Sequence, residues 1–312
     1  MKKVGIIGGS GFIGSYITKE FLDHDFEVKV STVDISNKNK YQHLMNMRHS
    51  DNLHICELDS LNKADLKKFV AGCDIIIHGG TPFQLNVNDP QTELYDPIVT
   101  GTENFLEIIE ETPSVEKVVF IASVAAWNTN FPLPADTKPD AESFTEKDMR
   151  FTSPESHPYC QAKFIANKTV ENYIQSHPNL DIEITSVSPV MVMGKSLSYR
   201  EDSISIKMQY LIKNKIAPNQ FIKGLYDNDV AFAIVDVEDV ARAIFKAATT
   251  KGLHAKDYLL SSETYKVSDV HAMLNHKKPK EKARIIYQNK LAEKDLGIHF
   301  RPVEETLNSY EN

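Results

Sequence analysis

The sequence predicts a doubly wound α/β fold, an open parallel sheet with helices on both faces, joined to a smaller carboxyl-terminal lobe. Three observations predict it. The first half alternates short β-branched runs with longer stretches of helical period. The first of those runs leads straight into a glycine-rich turn and then a helix. The 312 residues, 41% hydrophobic and 25% charged, suffice for one large α/β unit with a modest second lobe.

Six runs read as strands: Val4–Ile7, Glu27–Val33, Leu53–Cys56, Asp74–His78, Lys117–Ile121 and Glu183–Val187. Between them Phe12–Leu22, Lys63–Val70, Glu93–Glu110 and Tyr159–Tyr173 repeat apolar residues at three- and four-residue steps and read as helices. Asn128–Pro158 is a long irregular segment rich in proline, and its length marks it as functional rather than incidental. Beyond Ser188-Pro189 the alternation weakens. An amphipathic stretch, Ile204–Lys213, precedes a run at Ala231–Val235, a helix at Glu238–Ala248 and a short helical signal near Val267–Leu274. The expected division is a nucleotide-binding domain of residues 1–187 plus about 230–250, with residues 188–229 and 251–312 forming the small lobe.

Charge and cysteine usage exclude several functions. A net charge of −8 gives no basic face for nucleic acid or an anionic membrane. Cys56, Cys73 and Cys160 show no metal-ligand or disulfide spacing, so no metal is expected and the thiols read as reduced. Gly8 and Gly9 interrupt the apolar start, where a signal peptide would have to continue, and no run approaches the roughly 18 residues of a membrane span. The expected location is the cytoplasm, and the expected form a monomer or homodimer.

The strand Val4–Ile7 runs into Gly8-Gly9-Ser10-Gly11-Phe12-Ile13-Gly14. Gly8 permits a tight turn, Gly11 lets backbone approach a pyrophosphate, and Gly14 lets the helix lie close on the strand. Free amides at the helix start attract the anion. This makes the fold Rossmann-type and the ligand a dinucleotide, with Ser10, Phe12 and Ile13 in the cradle. Asp34 follows the second strand about 20 residues beyond Gly14, where a carboxylate bonds the adenosine ribose; this favours NAD, while Lys38 and Lys40 leave NADP open. Asp59, Ser60 and Leu61 follow the third strand and are placed at the adenine. Gly79 and Gly80 end the fourth strand, where missing side chains leave room for the cofactor backbone.

Tyr159 and Lys163 stand four residues apart, one helical turn, and so share a face. A tyrosine with a pKa near ~10 needs such a cation to work as acid or base at neutral pH. Ser123 follows the strand ending Val118–Ala122 and falls at the sheet's carboxyl edge, where ligands bind in open α/β folds.

Together Gly8, Gly11, Gly14, Asp59, Ser123, Tyr159 and Lys163 resemble the extended short-chain dehydrogenase/reductase family. Within it the chain is most similar to the branch of dihydroflavonol reductase, cinnamoyl-CoA reductase and 3β-hydroxysteroid dehydrogenase. The resemblance runs on through His78–Pro82, Val99–Asn104, Ser188-Pro189, Val235–Ala241 and Phe300–Leu307. It implies that Tyr159 exchanges a proton with the substrate oxygen, that Ser123 bonds that oxygen, and that Lys163 lowers the tyrosine pKa and holds the nicotinamide ribose near Thr81 and Pro189. Many reductases of this branch carry an Arg after the second strand for the 2′-phosphate. Here Thr32-Val33 passes directly to Asp34, and Ala122 stands where a second serine is common.

For the substrate, an apolar or aromatic small carbonyl or alcohol, the candidates are Thr81, Phe83, Ser123, Trp127, Met191 and Tyr226. Two other readings stay open. A nucleotide-sugar epimerase or dehydratase would use the same three groups and need cations such as Lys195, Arg200, Lys207, Lys213 and Lys215 for the sugar diphosphate. A non-enzymatic redox sensor would bind dinucleotide with no need of the tyrosine.

Overall fold

A computed structural model describes residues 1–79, 89–135, 143–200 and 202–310. The chain opens with β1 (Lys3–Ile7), α1 (Phe12–Asp23), β2 (Glu27–Thr32), a single turn α2 (Gln42–Met45), β3 (Leu53–Glu57), α3 (Lys63–Val70) and β4 (Ile75–His78). A wide helical turn at Gln91–Tyr95 leads into α4 (Asp96–Glu110), followed by β5 (Lys117–Ile121), α5 (Pro158–Ser176) and β6 (Glu183–Pro189). All six strands expected in this half are present, as are its four helices.

The second half holds β7 (Met191–Met193), α6 (Ile204–Asn214), α7 (Gln220–Asp227), β8 (Ala231–Asp236), α8 (Val237–Thr249), β9 (Lys256–Leu260), β10 (Glu263–Lys266), α9 (Val267–Leu274), α10 (Lys290–Leu296) and α11 (Val303–Asn308). Seven strands form one sheet in the order β3-β2-β1-β4-β5-β6-β9, with every pair parallel. Such a sheet is covered on both faces, and its strands are accordingly apolar throughout: Val4, Ile6, Ile75, Ile76, Ile77, Val118 and Val119 are each no more than 3% exposed.

One face of the sheet is covered by α1 and α8, the other by α3, α4 and α5. Phe21 of α1 meets Phe245 of α8 edge-on at 5.1 Å, and Phe26 at 5.0 Å. Burying side chains of this size contributes roughly 1.5–3 kcal/mol each. Strand order reverses between β1 and β4, opening a crevice at their carboxyl ends.

In the second half, strand pairing does not follow chain order. β8 leaves the large sheet and pairs in parallel with β7 and antiparallel with β10, as the centre of a three-stranded sheet. β9, expected in the small lobe, forms the seventh strand beside β6. The reason is pairing geometry: Ser261 and Ser262 turn the chain between β9 and β10, and Ser262 N donates to Ile234 O, locking β10 to β8. Of the 230–250 segment, α8 covers the large sheet, and β8 turns Ala233 and Val235 into the same core while pairing in the smaller sheet. The small lobe's core gathers Met193, Leu211, Ile212, Phe232, Val270 and Met273. Among the described residues no helix is long and apolar enough to cross a membrane, and no His, Cys, Asp and Glu cluster could hold a metal.

Candidate active site

Gly8 takes φ +81°, the left-handed region a side chain disfavours, and so turns the chain off β1. Its N–H donates to Ser31 Oγ at 3.0 Å, which pins the turn to β2, and Gly11 N donates to Gly8 O at 3.1 Å. A Cβ at Gly14 would fall 2.1 Å from Gly8 O, so α1 crosses the turn at a distance only hydrogen allows. Gly11 occupies the position before α1, and no side chain caps it. By contrast Asn62, Asn219 and Asp236 accept amide hydrogen bonds at the starts of α3, α7 and α8. The leading amides of α1 therefore keep their capacity for an anion, and a Cβ at Gly11 would find no atom nearer than 3.4 Å. These residues fit a dinucleotide pyrophosphate. Ser10 and Phe12 are buried beside the turn, and Ile13 packs on the core.

The ends of β2 and β3 carry the residues expected at the adenosine. Asp34 is exposed, and its carboxylate accepts from Ser36 N at 2.8 Å and Ser36 Oγ at 2.6 Å. Those two bonds hold it below the usual carboxylate pKa. Asp59 accepts from Leu61 N at 3.0 Å in the turn that includes Ser60. Leu61, Val33 and Ile35 are exposed by 53%, 84% and 45%, leaving apolar surface at these two strand ends. Val33 and Ile35 had no mark in the sequence beyond their place next to Asp34. Gly79 N donates to Ile7 O at 3.0 Å, and a Cβ there would lie 2.7 Å from that oxygen. Gly80, Thr81 and Phe83 lie outside the described residues.

Ser123 directly follows β5 and starts a short helical turn, Val124–Ala126, its Oγ accepting from Ala125 N at 3.2 Å. That turn packs against α5. Pro158 occupies the first turn of α5, where its missing N–H costs nothing, and His157 Nδ1 accepts from Tyr159 N at 3.2 Å. The cap and the proline fix the start of α5, and with it the direction of Tyr159. Lys163 Nζ lies 5.9 Å from the centre of the Tyr159 ring. Burial raises the phenol's pKa well above its ordinary value and lowers that of Lys163 to about 8.

Lys163 lines a small cavity with His78, Phe120, Ala122, Ala166 and Asn167, at the carboxyl ends of β4 and β5. His78 sits between the Phe105 and Phe120 rings at 4.6 and 5.0 Å. Burial and the Lys163 charge push its pKa down to about 4, so it is neutral at pH 7.

Asp257 went unmarked in the sequence. Lying on β9 with 12% of its side chain exposed, it accepts from Ser188 Oγ at 2.9 Å, Asn167 Nδ2 at 3.0 Å and Arg150 Nη2 at 3.3 Å. It thereby ties the residue before Pro189 to α5 one turn past Lys163. No local spacing could reveal it, because its partners lie 69, 90 and 107 positions away.

The expected substrate contacts fall in varied settings. Trp127 is 5% exposed, packs edge-on against Phe144 at 6.3 Å and lies under the Arg150 guanidinium at 4.2 Å. Its Nε1 has no partner among the described residues. Met191 packs on the small lobe's core, and the Tyr226 hydroxyl donates to Leu211 O at 2.8 Å, tying α7 to α6. The structure thus gathers the glycine turn, Gly79, Ser123, Lys163 and Pro189 at the sheet's carboxyl edge, and employs Trp127 and Tyr226 in packing.

A parallel sheet with this strand order and a glycine turn at its switch point define a Rossmann-type dinucleotide-binding fold. The chain belongs to the NAD dependent epimerase/dehydratase family, which matches residues 4–261. It is 25% identical over 283 residues to an anthocyanidin reductase of Vitis vinifera, covering 90% of this chain and 82% of the relative. It is 29% identical over 321 residues to cinnamoyl-CoA reductase 1 of Oryza sativa subsp. japonica, covering 98% and 88%. Among solved structures, Gre2 of Candida albicans in complex with NADPH superposes with a TM-score of 0.81 at 23% identity, over 99% of this chain and 97% of that one.

Proposed function

We propose that the chain reduces a small apolar or aromatic aldehyde or ketone, with Tyr159 as the proton donor. The observation that carries this reading is Lys163 Nζ at 5.9 Å from the Tyr159 ring, on a helix whose lysine opens on the cavity at the ends of β4 and β5. When bound, the nicotinamide supplies the hydride. Tyr159, kept protonated by burial, gives its Oη proton to the substrate oxygen, and the Lys163 ammonium stabilises the phenolate that remains. Ser123 Oγ, at the end of β5, donates to the same oxygen as charge builds on it.

The reading of an apolar substrate draws on relatives named for aromatic substrates, anthocyanidin and cinnamoyl-CoA. The three free cysteines accord with action in the reducing cytoplasm.

A panel of aromatic and aliphatic aldehydes and ketones, followed by loss of NADPH or NADH absorbance, tests the reading. Turnover with at least one of them is expected, and Tyr159→Phe should lower kcat by about 10²–10⁴-fold while the dissociation constant for the cofactor changes less than about threefold. Wild-type turnover in that variant would refute the mechanism.

A further inference from the structure

We infer that Arg150 and Asp257 are positioning residues for the reduction. Their ion pair holds three parts of the site in one register: the turn after Ser123, the face of α5 that bears Tyr159 and Lys163, and the end of β6 at Pro189. The inference rests on the reduction proposed above and adds to it two residues that act through others.

The segment before α5 lies along the segment that follows Ser123, because Phe151 N donates to Trp127 O at 2.8 Å and Thr129 N to Phe151 O at 3.1 Å. Arg150, next to that pairing, lays its guanidinium over the Trp127 ring at 4.2 Å. The same guanidinium pairs through Nη2 with Glu171 of α5 and, at 3.3 Å, with Asp257 of β9. Asp257 passes the link on. Its Oδ2 accepts from Asn167 Nδ2 of α5 at 3.0 Å, and its Oδ1 accepts from Ser188 Oγ, the residue before Pro189 on β6, at 2.9 Å.

Tyr159, Lys163 and Asn167 recur at four-residue steps and form one stripe along α5. A hold on Asn167 therefore sets the rotation of the face that presents the phenol and the ammonium. Apolar packing supplies little of that control, since of the 19 residues of α5 only Ala162, Asn167 and Val170 are buried. Asn167 and Lys163 also line the same small cavity at the carboxyl ends of β4 and β5. The His157 cap fixes one end of the stripe, and Asp257 fixes the other.

Stability alone does not account for the arrangement. Arg150 and Asp257 expose only 15% and 12% of their side chains, and taking two charges out of water costs about as much as their attraction returns. What such a pair supplies is direction, because hydrogen bonds fix an angle as well as a distance and apolar contact does not. Direction matters here, since a reacting group displaced by about 1 Å can lose about 10²-fold in rate.

Single-turnover oxidation of the reduced cofactor by an accepted carbonyl substrate reads the reacting geometry apart from product release. Asp257→Asn keeps the side chain's shape but sets an NH2 against the Asn167 and Arg150 donors. It should slow that step about 10- to 100-fold while the cofactor dissociation constant moves less than about threefold. In the Tyr159→Phe background the same change should cost less than about threefold, because the group it aims is already gone. Arg150→Met combined with Asp257→Leu removes both charges and keeps apolar volume; it should unfold as cooperatively as the wild type and still be slowed to a similar extent. Equal losses with and without the Tyr159 hydroxyl would make the pair structural only and overturn the inference, as would a wild-type rate in Asp257→Asn. If neither variant folds, Ser188→Ala, which gives up one bond to the carboxylate, carries the same cycle. An unchanged rate there overturns the inference, and a slowing confined to the background that keeps Tyr159 upholds it. A wild type that turns over no carbonyl with either cofactor would sink the reductase reading, and this inference with it.

Discussion

Two helix starts carry this site, and they work in opposite ways. At α1 the contribution is backbone: three glycines keep side chains away, and the leading amides stay available because nothing caps them. At α5 the amides are served instead by Pro158 and the His157 ring, and the helix contributes the side chains of Tyr159 and Lys163. A helix start can bind an anion or aim a side chain. Which it does depends on whether the preceding residue caps it.

The contrast can be broken from the α1 side first. Gly14→Ala places a methyl 2.1 Å from Gly8 O, backbone against backbone, so the turn must move. A loss of about 3 kcal/mol or more in stability and of dinucleotide binding is expected, read by chemical denaturation and cofactor fluorescence. Gly11→Ala is the sharper companion. Its added Cβ meets only Gly8 O, at 3.4 Å, and φ is −73°, so stability should stay within about 0.5 kcal/mol while dinucleotide affinity falls by about tenfold. Equal behaviour of the two variants would mean that the turn shapes the fold without cradling a ligand.

On the α5 side the charge of Lys163 is the quantity to vary. Its pKa is lowered to about 8 by burial, so the ammonium is present below pH 8 and lost above it. Reduction should therefore slow as pH rises through 8, to about a tenth of its plateau at pH 9. Lys163→Arg, which stays charged, should remove that limb from the pH profile of kcat. A flat profile in the wild type would contradict the role given to the ammonium. The smallest effect belongs to the cap itself: His157→Ala should cost about 1 kcal/mol, measured by thermal unfolding. It should leave binding at α1 untouched.

Much of the fold was legible because it is written in local periods. Ile75, Ile76 and Ile77 announce a strand buried on both faces, and Phe12, Ile17 and Phe21 announce a helix lying on it. β9 was missed because Lys256–Leu260 is short and begins with two charged residues, and its partner β6 is about 70 residues away. β8 carries the same kind of apolar run as the large-sheet strands, and nothing within Ala231–Asp236 says which sheet it enters. The site divides in the same manner. Gly8, Gly11 and Gly14 share one turn, and Tyr159 and Lys163 share one helical face, so spacing drew attention to them and the family resemblance gave them their expected roles. Trp127 read as a pocket residue, yet its ring packs between Phe144 and Arg150, a contact that neighbours in sequence do not foretell.

The sequence by itself determined the glycine turn, the Tyr159 and Lys163 pair, Ser123 at a strand end and the run of strands and helices through β6. These depend on bond geometry over a few residues, which is the same wherever the segment lies. Only the tertiary structure decided that β8 and β9 exchange sheets, that Asp257 ties α5 to β6, and that Arg200 reaches Ser10 across 190 positions. Those outcomes depend on which distant segments the packing brings within hydrogen-bond range, and no local period carries that information.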